Sequence, residues 1–200
     1  LFSGSNFIKE NAISKAMQKI LDIIYKTNIE IENKSLDKFY SSVKRRAAGI
    51  VTAKSKNKLI NELYERFFKN AFPVTTKKLG IVYTPTEIVD FMIHSMNDLS
   101  VKFFDKSLGM KNVHILDPFS GTGTFISRLI QSDLIEKKNL LYKYKNELHA
   151  NEIVLLAYYI ANINIETAFQ SIMTSNSYQS FDGMVLTDTF QLYEQDRDMI

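Results

Sequence analysis

The chain has 200 residues, no cysteine and a formal net charge of +3 at pH 7. Without cysteine there are no disulfide bonds, thiolate metal sites or cysteine nucleophiles. No apolar run reaches the roughly 18 residues of a membrane span and no signal-peptide pattern opens the sequence, so we expect a cytoplasmic protein without a membrane partner.

The first 73 residues are predicted to form a helical subdomain. Apolar residues recur there at the spacing of one helical face, and Pro73 ends the last helix. The best boundary with the next domain lies between Pro73 and Gly80. The three predicted helices cover residues 6–28, 35–46 and 56–71.

Charge is unevenly distributed along the chain. Residues 1–80 contain 16 Lys+Arg and 7 Asp+Glu, whereas residues 81–200 contain 9 and 15. A basic part beside an acidic part favours a polyanion surface next to a small-molecule pocket. A solvated helical face explains the same charges equally well, since Lys44, Arg45 and Arg46 at a helix end also complement the helix dipole.

A further helix is predicted to begin at residues 84–87. Thr84 is expected to cap it, with Pro85 at its first position and Glu87 completing a capping box. Apolar residues then recur at helical spacing as far as Met96. The start of this helix offers backbone N–H groups to an anion.

A β-branched run over residues 113–117 ends at Asp117 and is followed by a glycine-containing turn. This order predicts a strand, a tight loop and a helix. Gly121 and Gly123 permit positive φ and let a ligand approach the backbone closely. A plain strand-to-helix turn would show the same two glycines, so on these residues alone both interpretations stay open.

The turn differs from the common phosphate-binding motifs. A dinucleotide-binding fingerprint requires glycine where Ile126 stands, and a P-loop requires Gly-Lys-Ser/Thr, whereas Thr124 follows Gly123. Asp117 beside the turn would repel a diphosphate but would attract the ammonium of a zwitterion. S-adenosylmethionine carries such a zwitterion.

Two more strands are predicted after the turn, and each ends near an acid. Helices before and after the second strand give an α/β fold with a parallel sheet, whose ligands bind at the carboxyl ends of the strands. The predicted elements are a helix at 125–135, a polar surface loop or helix extension at 136–146, a strand at 148–153 ending near Glu152, a helix at 154–165, and a strand at 184–187 before Asp188.

These motifs resemble those of the amino-group DNA methyltransferases that modify adenine. The amino-acid sequences of residues 63–68 and 147–153 are similar to those of single-chain restriction enzymes, which fuse a nuclease and a helicase to such a methyltransferase. The matching segments are Tyr83-Thr84-Pro85 (motif X), residues 117–123 (motif I), residues 150–153 (motif II) and Thr187-Asp188-Thr189 (motif III).

The resemblance implies a Rossmann-like methyltransferase sheet, truncated, over residues 80–200, and a basic coupler-like helical subdomain over residues 1–73. It also implies double-stranded DNA as a partner, and helicase and nuclease domains on the same full-length chain. Implied contacts to S-adenosylmethionine are Thr84 and the backbone of Gly121 to Gly123 on its carboxylate, Asp117 on its ammonium, Glu152 on its ribose, Ile153 and Asp188 on its adenine, and Phe119 lining the pocket.

One family motif has no counterpart here. The family's Asn/Asp-Pro-Pro-Tyr/Phe motif binds the target amino group and stacks on the flipped base, but the prolines of this chain are Pro73, Pro85 and Pro118. The sequence also starts with Leu1 and ends without a capping signal. We therefore expect a piece of a longer enzyme, with no catalytic residue and no metal site of its own.

The alternative is a regulatory module that binds nucleotide or DNA on the same sheet without chemistry. The three histidines do not decide between the two, because a histidine in a helix or beside a strand is more often structural than catalytic.

Overall fold

The structure is a computed structural model of the chain. It describes residues 11–26, 34–50, 55, 59, 62–63, 84–173 and 178–191. The chain divides into two compact units, Leu1–Tyr64 and Glu65–Ile200. The domain boundary expected between residues 73 and 80 lies outside the described residues. None of the helices that the structure describes is long and apolar enough to cross a membrane.

The first unit contains helices α1 (Ala12–Lys26) and α2 (Lys34–Ala47). Asn11 caps α1, because its Oδ1 accepts the backbone N–H of Ser14 at 3.1 Å. The predicted start of this helix at residue 6 lies outside the described residues, as does most of the helix predicted at 56–71. Helix α2 ends in Lys44, Arg45 and Arg46, which are exposed.

The second unit is built on a three-stranded parallel sheet with the order β1-β2-β3. In this register Asp117 lies beside Ala150, and Glu152 lies beside Leu186. The elements are α3 (Thr86–Phe104), β1 (Ile115–Asp117), α4 (Thr124–Ile130), α5 (Lys137–Asn146), β2 (Leu148–Glu152), α6 (Leu155–Met173) and β3 (Met184–Leu186).

Apolar residues of the helices pack against the sheet and form the core of this unit. Helix α6 is apolar on nearly every face and is buried along most of its length. The buried core includes Val89 and Ile93 of α3, Ile126, Leu129 and Ile130 of α4, Leu140 and Tyr144 of α5, and Ala161, Ile165 and Phe169 of α6.

The polar segment 136–146 is not the surface loop or helix extension that its composition suggested. It forms a separate helix, α5, whose Lys143 and Tyr144 side chains are buried. Tyr144 stacks on Phe169 with ring centroids 3.9 Å apart. Lys143 donates to the carbonyls of Met110 and Val113 and to the Glu147 carboxylate. These three acceptors satisfy the buried ammonium of Lys143. They come together only in the tertiary fold, so the polarity of the segment alone does not reveal that Lys143 is buried.

The predicted capping box at the start of α3 was also wrong. The helix begins at Thr86, Pro85 is its cap residue, and no side chain bonds to the cap. The carbonyl of Pro85 accepts the N–H groups of Ile88 and Val89 at 3.0 and 3.1 Å. Thr84 therefore lies one residue outside the cap position.

Candidate cofactor site

Two acidic side chains meet at the carboxyl edge of the sheet. Asp117 is the last residue of β1 and Glu152 is the last residue of β2. Because the strands are parallel, both side chains lie at the edge where α/β proteins bind ligands. The turn that follows Asp117 contacts Glu152, because the N–H of Gly121 donates to the Glu152 carboxylate at 2.8 Å.

The turn after β1 is closed by a hydrogen bond from the N–H of Gly123 to the carbonyl of Ser120, at 2.8 Å. Gly121 and Gly123 have φ values of 54° and 73°, which only glycine adopts readily. A β-carbon on Gly123 would lie 3.0 Å from the Ile165 side chain and 3.1 Å from Ala161. At Gly121 the same atom would meet nothing within 4 Å. The turn is thus packed on α6 on one side and open at Gly121.

Helix α6 also anchors the turn through a polar contact. The Nδ2 group of Asn164, a buried residue, donates to the carbonyl of Thr122 at 2.9 Å. Asn164 was not identified from the sequence. The available signal was the pair of amide residues Asn162 and Asn164 in a largely apolar helical run, because such residues need polar partners in the core.

Glu152 is bound by backbone N–H groups from both sides. Its Oε2 accepts the N–H of Gly121 at 2.8 Å, and its Oε1 accepts the N–H of Val154 at 2.7 Å. Burial raises the pKa of Glu152, and these N–H groups offset part of that rise. Each carboxylate oxygen has a second lone pair, so Glu152 is oriented and can still accept hydroxyl donors.

Asp117 is half-buried, and one of its oxygens is unsatisfied. Its Oδ1 accepts the N–H of Phe119 in a long contact of 3.4 Å. Its Oδ2 is buried and has no hydrogen-bond partner among the described residues. Burial, opposed by the Phe119 bond and reinforced by the Glu152 charge, raises the pKa of Asp117 to about 6. A cationic donor at Oδ2 would satisfy this oxygen and lower that pKa.

Apolar side chains surround the acids at the same edge. Phe119 and Phe190 are 61% and 81% exposed, and their ring centroids lie 5.4 Å apart. Ile153, directly after Glu152, is also exposed. Phe190 was not identified from the sequence, because its separation from Phe119 along the chain gives no local pattern. Together the three residues offer a surface for a flat apolar group.

The segment after β3 is tied to the end of β1. The Thr189 hydroxyl donates to the carbonyl of Pro118 at 2.6 Å and accepts the Asn151 side-chain amide at 3.3 Å. Asp188, next to Thr189, accepts the N–H of Phe190 at 3.0 Å. These bonds bring Asp188 and Phe190 to the same sheet edge as Asp117.

The structure brings together all the predicted site residues except Thr84. Thr84 is exposed ahead of α3 and makes no hydrogen bond to the others within the described part of the chain. Two histidines pair elsewhere on the sheet: His114 Nδ1 and His149 Nε2 are 3.0 Å apart. Burial and the neighbouring His114 lower the pKa of His149. His149 precedes Glu152 by three residues along β2, so the pair lies toward the opposite end of the sheet.

Family comparison decides the class of the chain. Residues 55–196 match the N-6 DNA methylase family, and residues 1–55 match the coupler domain of Type ISP restriction-modification enzymes. The chain belongs to the N-6 DNA methylase family. This confirms the resemblance that the motifs indicated. The members of this methylase family normally use S-adenosylmethionine.

Solved structures give the same result over nearly the whole chain. A DrdV–DNA complex is 39% identical with a TM-score of 0.83, covering 95% of this chain and 18% of that one. The ATP-dependent Type ISP enzyme LlaBIII bound to DNA is 48% identical with a TM-score of 0.76, covering 95% and 13%. A nuclease-deletion mutant of the Type ISP enzyme LlaGI with a DNA substrate mimic is 46% identical with a TM-score of 0.76, covering 96% and 16%.

This N-6 DNA methylase chain therefore spans less than a fifth of the length of each of these structures. No curated protein sequence matches it.

Proposed function

We propose that residues 80–200 are the S-adenosylmethionine-binding part of a Rossmann-like DNA adenine-N6 methyltransferase in a Type ISP restriction-modification enzyme. The observation that carries this proposal is the buried, unbonded Oδ2 of Asp117, beside an open glycine turn and the oriented Glu152. A ligand that combines an ammonium, a carboxylate and a ribose matches these groups one by one. Membership of the N-6 DNA methylase family supports the same ligand.

Each residue at this edge has a role that its geometry allows. Asp117 binds the ammonium at Oδ2, and Glu152 accepts the two ribose hydroxyls. Asp188 accepts the amino group of the cofactor's adenine, while Ile153 and Phe119 contact the adenine ring and line its site. When bound, the cofactor supplies a methyl group on a sulfonium. The protein groups orient that sulfonium and keep it at a fixed place on the sheet edge.

The carboxylate of the cofactor depends on two segments. Within the turn, the N–H of Gly121 already donates to Glu152 and that of Gly123 to Ser120. The turn alone therefore has few donors left. We assign the remaining donors to the start of α3, next to Thr84, because it presents unpaired N–H groups to an anion.

Methyl transfer to adenine needs groups outside this sequence. The target amine must be held and aimed at the sulfonium, and the family's Asn/Asp-Pro-Pro-aromatic motif, which does this, has no counterpart in the 200 residues. We expect the isolated chain to bind cofactor without transferring tritium from labelled S-adenosylmethionine to an adenine-containing duplex. An active adenine methyltransferase serves as the positive control, and transfer by the chain alone would contradict this part of the proposal.

The first unit is proposed to contact DNA or a neighbouring motor domain of the full-length enzyme. Its exposed Lys44, Arg45 and Arg46 at the end of α2 provide positive charge, and the three similar structures are described with DNA or a DNA mimic. If the contact is to DNA, affinity for a duplex falls steeply with salt concentration. Replacing all three residues by Gln then reduces the slope of log affinity against log salt concentration. Absence of binding at low salt would leave a solvated helical face or the motor-domain contact.

The test of cofactor binding is calorimetry with S-adenosylhomocysteine. Glu152→Ala is expected to weaken binding by about 1.5–3 kcal/mol, the loss for hydrogen bonds to a charged group. Glu136→Ala is the matched control, because this exposed acid pairs with Lys138 at 2.6 Å and has no proposed contact with the cofactor. Equal affinities of wild type and Glu152→Ala would contradict the ribose assignment, and no binding by the wild type would contradict the cofactor.

A further inference from the structure

A two-pronged ion pair joins helix α3 to helix α4. The Nε and Nη2 groups of Arg128 donate to the two carboxylate oxygens of Asp90, both at 2.7 Å. The third nitrogen, Nη1, donates to the Gln131 side chain at 3.1 Å. The Arg128 side chain is 14% exposed and that of Asp90 is 35% exposed. A planar guanidinium donates to both oxygens of a carboxylate only when the two groups are nearly coplanar. This contact therefore restricts how α3 and α4 can rotate against each other.

The ion pair lies near the beginning of both helices. Asp90 follows the first residue of α3, Thr86, by four positions, and Arg128 follows the first residue of α4, Thr124, by four positions. Four residues are about one turn, or about 6 Å along the axis. The contact is therefore one turn away from two functional segments: the glycine turn that leads into α4, and the residues around Thr84 that lead into α3.

Within the described residues, two side chains of α3 are buried and several large apolar side chains are exposed. Val89 and Ile93 are its buried residues in the described structure, while large apolar side chains such as Phe91 and Met96 are exposed. No side-chain hydrogen bond caps the helix. Among the described residues, the burial of Val89 and the contact between Asp90 and Arg128 hold the first turn of α3 in place.

We infer that Asp90 and Arg128 are positioning residues that place the start of α3 over the glycine turn and thereby set the affinity for the amino-acid end of the cofactor. The inference rests on the function proposed above and deepens it. Both side chains lie one helical turn away from the site and do not contact the ligand. They act indirectly, by positioning the N–H groups of the first turn of α3. The nucleoside end, held by Glu152 and Asp188, does not depend on them.

The experiment compares two ligands that differ only at the amino-acid end. S-adenosylhomocysteine carries the α-amino acid, whereas 5′-methylthioadenosine keeps the nucleoside and lacks it. Asp90→Asn and Arg128→Lys are expected to weaken binding of S-adenosylhomocysteine about tenfold, the scale of coupling lost from one contact network. Binding of 5′-methylthioadenosine stays unchanged. The exchanged variant, Asp90→Arg with Arg128→Asp, restores part of the lost affinity.

The controls separate positioning from general stability. The thermal midpoint of each variant is measured, and Glu136→Gln, which breaks the exposed ion pair with Lys138, leaves both affinities unchanged. An equal loss for both ligands, or no loss for either, overturns the inference while leaving the proposed function intact. A wild-type chain that binds neither ligand overturns the proposed function and this inference with it.

Discussion

The parallel sheet has an acid at each end, Glu147 directly before β2 and Asp117 as the last residue of β1, and the two acids differ in how they are satisfied. At its amino end Glu147 accepts the Nζ of Lys143 at 2.9 Å and the N–H of Asn112 at 2.7 Å. Burial alone would raise its pKa, but these donors hold the pKa below its usual value. At the carboxyl edge Asp117 keeps an unbonded oxygen, and its pKa is raised to about 6.

The difference fits a structural role for Glu147 and supports the binding role proposed for Asp117. The Lys143–Glu147 pair has its partners inside the fold and pins the loop before β1, including Asn112 with its φ of 64°. Asp117 remains incompletely bonded at an edge that is open beside Gly121. A carboxylate that costs stability in this way is typical of a site that a ligand completes.

Removing one member of the structural pair should have the largest effect. Lys143 and Glu147 are each 1% exposed, so Lys143→Met leaves a buried carboxylate and should cost about 3–5 kcal/mol of unfolding free energy. Urea unfolding measures it. Lys138→Met, which breaks an exposed pair, should change stability by less than about 0.5 kcal/mol. Similar losses in both variants would show that the buried pair has no special structural role.

The two glycines of the turn should respond differently to alanine. Gly123→Ala combines a positive φ with contacts of 3.0–3.1 Å to α6 and should cost about 2–4 kcal/mol. Gly121→Ala carries the φ strain alone, about 1–2 kcal/mol. The added methyl group points into the open space beside the turn, where the ligand is proposed to bind. The loss of affinity for S-adenosylhomocysteine should therefore exceed what the loss of stability alone would cause. Unfolding and calorimetry on the same samples check both effects.

Asp117→Asn should change stability and binding in opposite directions. Removing the half-buried charge should stabilise the protein by about 2 kcal/mol at pH 8. Affinity for S-adenosylhomocysteine should fall at least tenfold, because the ammonium loses its partner. Thermal unfolding at pH 8 and calorimetry measure the two quantities. A variant that loses both stability and affinity would identify Asp117 as a structural acid like Glu147.

The pH dependence follows from the same carboxyl. The pKa of Asp117 rises from 3.8 to about 6 on folding, so its contribution to stability is fully present below about pH 4 and is lost as pH rises through about 6. Cofactor affinity should change with pH in the opposite direction, because the charged form of Asp117 binds the ammonium. Below pH 6 the affinity should fall up to about tenfold per pH unit. In Asp117→Asn, cofactor affinity should keep only the pH dependence that comes from the Glu152 carboxyl.

The sequence was most informative at the carboxyl edge. Asp117 and Glu152 end runs with strand patterns, and parallel topology brings strand ends together, so local signals were sufficient to place them. Lys143 was not predictable, since the carbonyls of Met110 and Val113 that bind it reach α5 only through the tertiary fold. Asn164 and Phe190 were missed for the same reason: each acts through a contact with a segment distant in sequence.

The Lys143–Glu147 pair also constrains how the sequence can diverge. A single change at either position strands a charge in the core, whereas a paired change to apolar residues of similar volume can be tolerated. Among relatives, these two positions should therefore vary together, either both ionic or both apolar. The loop around Asn112 should then vary with them, because its backbone donors and acceptors must find other partners wherever the ions are lost.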